Sequence, residues 1–207
     1  MKKLFMLALS LIMVASLSVA YAGNNQKEAK KLAKKEAKKL IKQGWQVSPG
    51  ALPLDKQLEE AYMKQFEKDD TGYAKYYIAE AQSIGENYDA AKYQGIRLAT
   101  ENLAAQIQTE VTSLVENNIA NAQLGANDAA SITKTVGTSK NLIAQSIGRT
   151  LVITECYRVL PNKNREVLVR IAYSQDMARE AAKKAIRKEL EKQNSKLQGQ
   201  LDEVLGF

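Results

Sequence analysis

The side chains with which this chain could do acid–base, nucleophilic or metal chemistry are few, and their types narrow the field at once. There is no histidine, and Cys156 is the one cysteine. Histidine is the usual proton carrier near neutral pH and a main zinc ligand, so a zinc site would need carboxylates alone or a single thiolate. One cysteine forms no disulfide within the chain. It could serve as a redox thiol or pair with another chain, but as a small apolar residue inside a strand it reads as core, where an unpaired thiol is protected from an oxidising compartment. Carboxylates are the remaining acid–base resource. Asp69 and Asp70 are adjacent in a turn, and Glu80 and Glu86 flank the end of a strand. Two carboxylates at the right separation run glycoside hydrolysis, whereas a solvated surface is the commoner setting for each of them. The phosphate cradle G-x-x-x-x-G-K-[ST], the dinucleotide turn G-x-G-x-x-G and the nucleophile elbow G-x-S-x-G do not occur. The sequence therefore offers no catalytic residue, no cofactor site and no metal site, and it reads as a non-enzyme.

Two clusters could bind rather than react. The first is lysine: Lys27, Lys30, Lys31, Lys34, Lys35, Lys38, Lys39 and Lys42 stand against only Glu28 and Glu36 over residues 27–42. Residues 25–43 are helix-forming in composition and end at Gly44, a C-cap. On that helix Ala29, Ala33, Ala37, Leu40 and Ile41 form one stripe, with lysines around the rest. Such a helix either lies on an anionic membrane or wall polymer, or docks its stripe on its own body. Alanine is small for a membrane-surface helix, which favours docking. The second cluster is aromatic: Tyr73, Tyr76, Tyr77, Tyr88 and Tyr93 flank one loop. They make either a sugar- or protein-binding platform or a core shared by a strand and a helix.

The elements that must position these residues follow from periodicity. Trp45–Val47 reads as a short strand and Ser48–Pro53 as a turn-rich connector. Asp55, an N-cap candidate, opens a helix to Asp69, which Asp69-Asp70-Thr71-Gly72 ends. Lys75–Ile84 reads as a strand closed by Gly85-Glu86-Asn87. Asn87 or Asp89 caps a helix to about Gln106, whose small row Ala91, Gly95, Ala99 lets it sit close to a sheet. From Ile107 the apolar period becomes two, through Thr109, Val111, Ser113 and Val115, which predicts a half-buried strand. Residues 129–132 read as a short helix, and Ile132–Thr138, with its threonines, as extended chain. Asn141–Ile147 is helical. Thr150–Leu160 and Arg165–Tyr173 are strands joined at Pro161–Asn164, and Ser174 caps a last helix to about Gln198. The expectation is an α+β fold: an antiparallel sheet of about four strands with helices packed on it, plus an N-terminal helical extension.

Lys2 and Lys3, the apolar run Leu4–Val19 and Ala20-Tyr21-Ala22 read as a secretory signal peptide over residues 1–22, cleaved before Gly23. Residues 23–72 then form the lysine-rich helical extension and connector, and residues 73–207 the α+β domain with its C-terminal helix. The chain of 207 residues carries a formal charge of +7. All of that excess belongs to the leader, at +2, and the lysine helix, at +6, which leaves the body from Gln43 onward at −1. Export puts nucleic acid out of ordinary reach. The remaining partners are an envelope protein, a surface polymer or a second copy of the chain, with peripheral contact to an anionic surface and no transmembrane segment in the mature chain.

The strand Tyr76-Tyr77-Ile78-Ala79-Glu80-Ala81, the helix with Ala91-x3-Gly95-x3-Ala99-x3-Leu103-Ala104, the strand Gln108–Glu116, and Ile147-Gly148-Arg149-Thr150 leading toward Val167-Leu168-Val169 together resemble the Lpp-twenty-type bacterial envelope lipoproteins. The N-terminal domain of flagellar assembly protein T is a related fold with the same order. The resemblance spans roughly residues 73–190 and implies a secreted or surface-attached protein with no catalytic motif. Those relatives carry a lipid-attachment cysteine; Gly23 stands at that position here, which predicts a periplasmic or extracellular protein that is not lipidated. Three functions are open at this level: an assembly or interaction module of the cell envelope, which the missing motifs favour; a carboxylate-dependent hydrolase of a wall or surface polymer; and a small-ligand carrier using the tyrosines.

Overall fold

A computed structural model describes residues 24–122 and 124–205. The leader read at residues 1–22 and its cleavage site before Gly23 lie outside these residues. The described chain is α+β, with seven helices and one antiparallel sheet of three strands, β1 (Tyr76–Gly85), β2 (Leu151–Val159) and β3 (Arg165–Ser174), in the order β1-β3-β2. The expected count of about four strands is thus one too high.

The missing strand is the one read at Ile107–Val115. It is the second half of a single helix, α3 (Tyr88–Ile119), 32 residues long. Ile107, Val111 and Val115 are all buried, as a half-buried strand requires, but they are spaced by four, a step that a helix also returns to one face. Thr109 and Ser113, which a strand would turn inward, are exposed, and their hydroxyls donate to the carbonyls of Ala105 and Thr109 at 2.9 and 3.0 Å. No glycine or proline falls between Gly95 and Gly125 to stop the helix. Part of the resemblance to the envelope lipoproteins therefore rests on a segment that is helical here. Thr109→Lys is expected to shift the urea midpoint by less than the equivalent of about 0.5 kcal/mol, as an exposed helical site would. A loss of several kcal/mol would restore the strand.

Two further readings change. Ile132–Thr138 is not extended; it belongs to α4 (Ala126–Gly137), where Ile132, Thr135 and Val136 are buried at helical spacing and packing overrides threonine propensity. The last helix is two: α6 (Gln175–Gln193) ends at Asn194, whose side chain accepts from Lys196 N–H at 3.0 Å and opens α7 (Lys196–Leu205). The remaining helices are α1 (residues 24–42), α2 (Leu54–Phe66) and α5 (Lys140–Ser146). Pro53, not Asp55, stands at the N-cap of α2, with Asp55 in its first turn. Asn87 caps α3 as expected, accepting from Ala90 N–H at 2.9 Å.

Both faces of the sheet are covered, so the central strand β3 alternates between two cores. Val167, Val169, Ile171 and Tyr173 face α3 and the helices beyond it. Leu168 and Ala172 face the other way, toward α1 and α2, with Ala33, Ala37, Leu40, Trp45, Leu54, Leu58 and Cys156 on one side and Ala61 and Ile153 on the other. The small row of α3 does what its spacing implies: a Cβ on Gly95 would stand 2.9 Å from Ser83 Oγ and 3.2 Å from Val169 Cγ2. Past the sheet, the C-terminal half of α3 is wrapped by α4, α6 and α7.

The two edge strands are capped by side-chain amides. Asn102 and Gln106 of α3 donate to the β1 carbonyls of Glu80 and Ile78 at 3.0 and 3.1 Å. On β2, Gln57 accepts from Glu155 N–H at 2.8 Å, and the segment read as a short strand contributes one bridge, Gln46 to Tyr157. Some of the backbone groups that would otherwise recruit another strand are thereby occupied.

Candidate lysine ridge and the carboxylate clamps

The alanine stripe decides how α1 sits. Ala29, Ala33, Ala37 and Leu40 are buried, the last three in one cluster with Leu54 and Leu58 of α2 and Cys156 and Leu168 of the sheet, whereas Ile41 is 60% exposed, so the stripe closes on leucine rather than isoleucine. Docking this stripe leaves all eight lysines, Lys27 to Lys42, exposed. None of them is held in an ion pair among the described residues. Read at four-residue steps they make two rows, Lys27-Lys31-Lys35-Lys39 and Lys30-Lys34-Lys38-Lys42, with successive members about 6 Å apart along the axis. Six like-charge pairs at i, i+4 oppose an isolated helix by a few tenths of a kcal/mol each, so docking has to hold α1 in shape against its own repulsion.

The two acids of this segment divide the work. Glu28 is exposed. Glu36 turns inward, where its carboxylate accepts from Tyr62 of α2 at 2.8 Å and from Arg170 of β3 at 2.9 Å. Arg170 also binds Glu80 of β1, at 2.6 Å from Nη2 and 3.0 Å from Nε. Burial works against the Arg170 charge, and the hydrogen bonds of Glu36 and Glu80 outweigh it, holding the guanidinium above its usual pKa. This clamp ties two helices and two strands together. Sequence reading missed Arg170, although a lone charge within Val-Leu-Val-Arg-Ile-Ala-Tyr of a central strand is the signal of a buried, partnered cation.

The same pattern recurs on the other face of the sheet. Tyr77 donates to Glu110 of α3, which Arg179 of α6 approaches at 3.5 Å. Burial first, then the bond to Glu110, keeps the Tyr77 phenol far above its ordinary range. Tyr88 donates to Glu155 of β2, which pairs with Lys92 at 2.9 Å, and burial raises the Glu155 pKa. These carboxylates are occupied in fastening helices to strands.

Of the acids considered for catalysis, Glu80 is in the Arg170 clamp. Asp69 shapes its own turn, accepting from the Thr71 hydroxyl at 2.6 Å and from the Thr71 and Tyr73 amides at 2.9 and 3.0 Å, and the Thr71 hydroxyl leads in holding its pKa down. No group of three or more metal-ligating side chains occurs among the described residues. Cys156 lies in the core beneath α1 and α2, and burial pushes its thiol up to about 12.

The five tyrosines are not brought together. Tyr76 faces α2, with Lys64 4.4 Å from its ring centroid, while Tyr77 and Tyr88 face the opposite core, Tyr88 edge-on to Tyr157 at 5.2 Å. Tyr73 and Tyr93 are exposed. Nor does α6 extend the lysine ridge: its buried residues belong to the core on the far side of the sheet. No helix among the described residues is long and apolar enough to cross a membrane.

Comparison with protein-family models, curated proteins and solved structures finds no match for this chain.

Proposed function

We propose that this chain is an exported, non-enzymatic protein of the cell envelope that works as an interaction module, docking through the lysine ridge of α1 onto an anionic envelope component. The observation that carries the reading is the combination on one helix: a buried alanine stripe, an inward glutamate locked to Arg170, and eight exposed lysines without ion-pair partners among the described residues. A solvated helix serving only as a cover would have its stability raised by mixing acids among those lysines. The leader and the resemblance to envelope lipoproteins support the location. With Gly23 where those relatives have a lipidated cysteine, the ridge supplies peripheral attachment by charge.

Replacing all eight lysines with glutamine tests this in the native host. The variant is expected to move from the envelope fraction to the soluble fraction while its melting temperature stays the same or rises, since like-charge repulsion is removed. High salt should release the unaltered protein in the same way. Retention of the variant in the envelope at low salt overturns the reading.

A further inference from the structure

The shape of the ridge narrows the partner. At about 100° per residue the eight lysines cover roughly half the circumference of α1, which makes a convex cationic cylinder rather than a flat face. A planar bilayer meets such a cylinder along its crest and leaves the flanking lysines out of reach of its headgroups. Helices that lie in a membrane interface also bury large apolar side chains there, and α1 offers only the half-buried Leu32 and the exposed Ile41, one on each side of the buried stripe and not on the crest of the ridge, since Ala29, Ala33, Ala37 and Leu40 are buried in the protein. A flexible chain has neither difficulty: it can run along the axis and bend around it. The two rows repeat at about 6 Å over some 18 Å each, so a linear polymer with a negative charge every few ångströms can meet successive lysines of one row and cross to the other. The ridge is also preformed. Glu36, held by Tyr62 and Arg170, and the buried stripe fix α1 before any partner arrives, which removes the cost of ordering the helix on binding.

Building on the proposed envelope role, we infer that the occupant of the lysine ridge is a linear anionic polymer laid along α1, held by its repeating charges and not by insertion into lipid.

The test uses the mature protein with inorganic polyphosphate of graded length, from pyrophosphate to chains of several tens of units, and in parallel with vesicles rich in phosphatidylglycerol. Binding is expected to be undetectable with pyrophosphate at physiological salt, to strengthen with chain length, and to level off once the chain spans both rows. With all eight lysines engaged, raising salt from 50 to 200 mM should weaken long-chain binding on the order of a thousandfold, and glutamine at Lys27, Lys31, Lys35 and Lys39 should reduce that factor to about fiftyfold. Long chains should also raise the melting temperature of the protein and not that of the variant with all eight lysines replaced. Vesicle binding as strong as long-chain binding at equal phosphate, or affinity independent of chain length, overturns the inference while leaving the envelope role standing. Binding to neither probe also overturns it, and the envelope fractionation of the eight-lysine variant then decides separately whether the docking role survives.

Discussion

Deleting residues 24–44 is expected to lower the unfolding free energy by about 5 kcal/mol, close to the whole stability of many domains of this size. The deletion removes the buried Ala29, Ala33, Ala37 and Leu40, and uncovers Leu58, Leu168, Cys156 and Trp45, which share a cluster with the last three. It also takes Glu36 from Arg170 and Tyr62. The loss should appear as a lower urea midpoint. Cys156 gives an independent readout, because in the intact protein its buried thiol, with a pKa near 12, is almost never ionised and should react with a thiol reagent only through unfolding. With α1 gone, labelling at pH 8 should accelerate by orders of magnitude under conditions where the intact protein is inert. An unchanged midpoint with slow Cys156 labelling would mean that α1 is an appendage and that the ridge has no rigid base.

That expectation was half legible in the sequence. The stripe of Ala29, Ala33, Ala37 and Leu40 states that α1 docks, because alanine is too small for a helix that lies in a membrane surface. What it docks on was not legible, since Leu58, Cys156 and Leu168 come from three distant elements. The strands were found within a residue or two, where alternation met clear punctuation at Gly85–Asn87 and Pro161–Asn164. Failure came where the pattern was degenerate. Ile107, Val111 and Val115 satisfy both a strand and a helix, and only the hydroxyls between them, bonding back along the helix, separate the two. The break at Asn194 was missed because Gln-Asn-Ser carries neither glycine nor proline. The tyrosines divide for a different reason: Tyr76 and Tyr77 are neighbours in sequence, and in a strand neighbours point to opposite faces, so Tyr77 joins Tyr88 in the core shared with α3 while Tyr76 turns to α2.

Arg170→Ala should be the most damaging single substitution of a charged residue in this protein, at about 3 kcal/mol. The guanidinium is 14% exposed and serves two carboxylates; removing it leaves Glu36 and Glu80 facing the vacated space without a cation. Breaking a buried pair by deleting one partner costs about 3 to 5 kcal/mol, and the lower end applies because Glu80 is still 39% exposed to water. The penalty is chiefly that of stranded charge, so it should be largely reversible by neutralising the partners. Arg170→Met combined with Glu36→Gln and Glu80→Gln is expected to recover most of the lost stability, since a methionine on the central strand can pack against Leu168 and Leu40 without needing a counter-charge. The double-mutant cycle between Arg170 and Glu36 should give a coupling above about 1 kcal/mol. If Arg170→Ala moves the urea midpoint by less than the equivalent of about 0.5 kcal/mol, water serves Glu36 as well as the arginine does, and the clamp is not what seats α1. If instead the triple variant is as unstable as the single one, the clamp contributes through the arginine's own packing and not through charge. In the first case the seating of the ridge has to come from the buried stripe Ala29, Ala33, Ala37 and Leu40; in the second, the aliphatic stem of Arg170 shares it with that stripe.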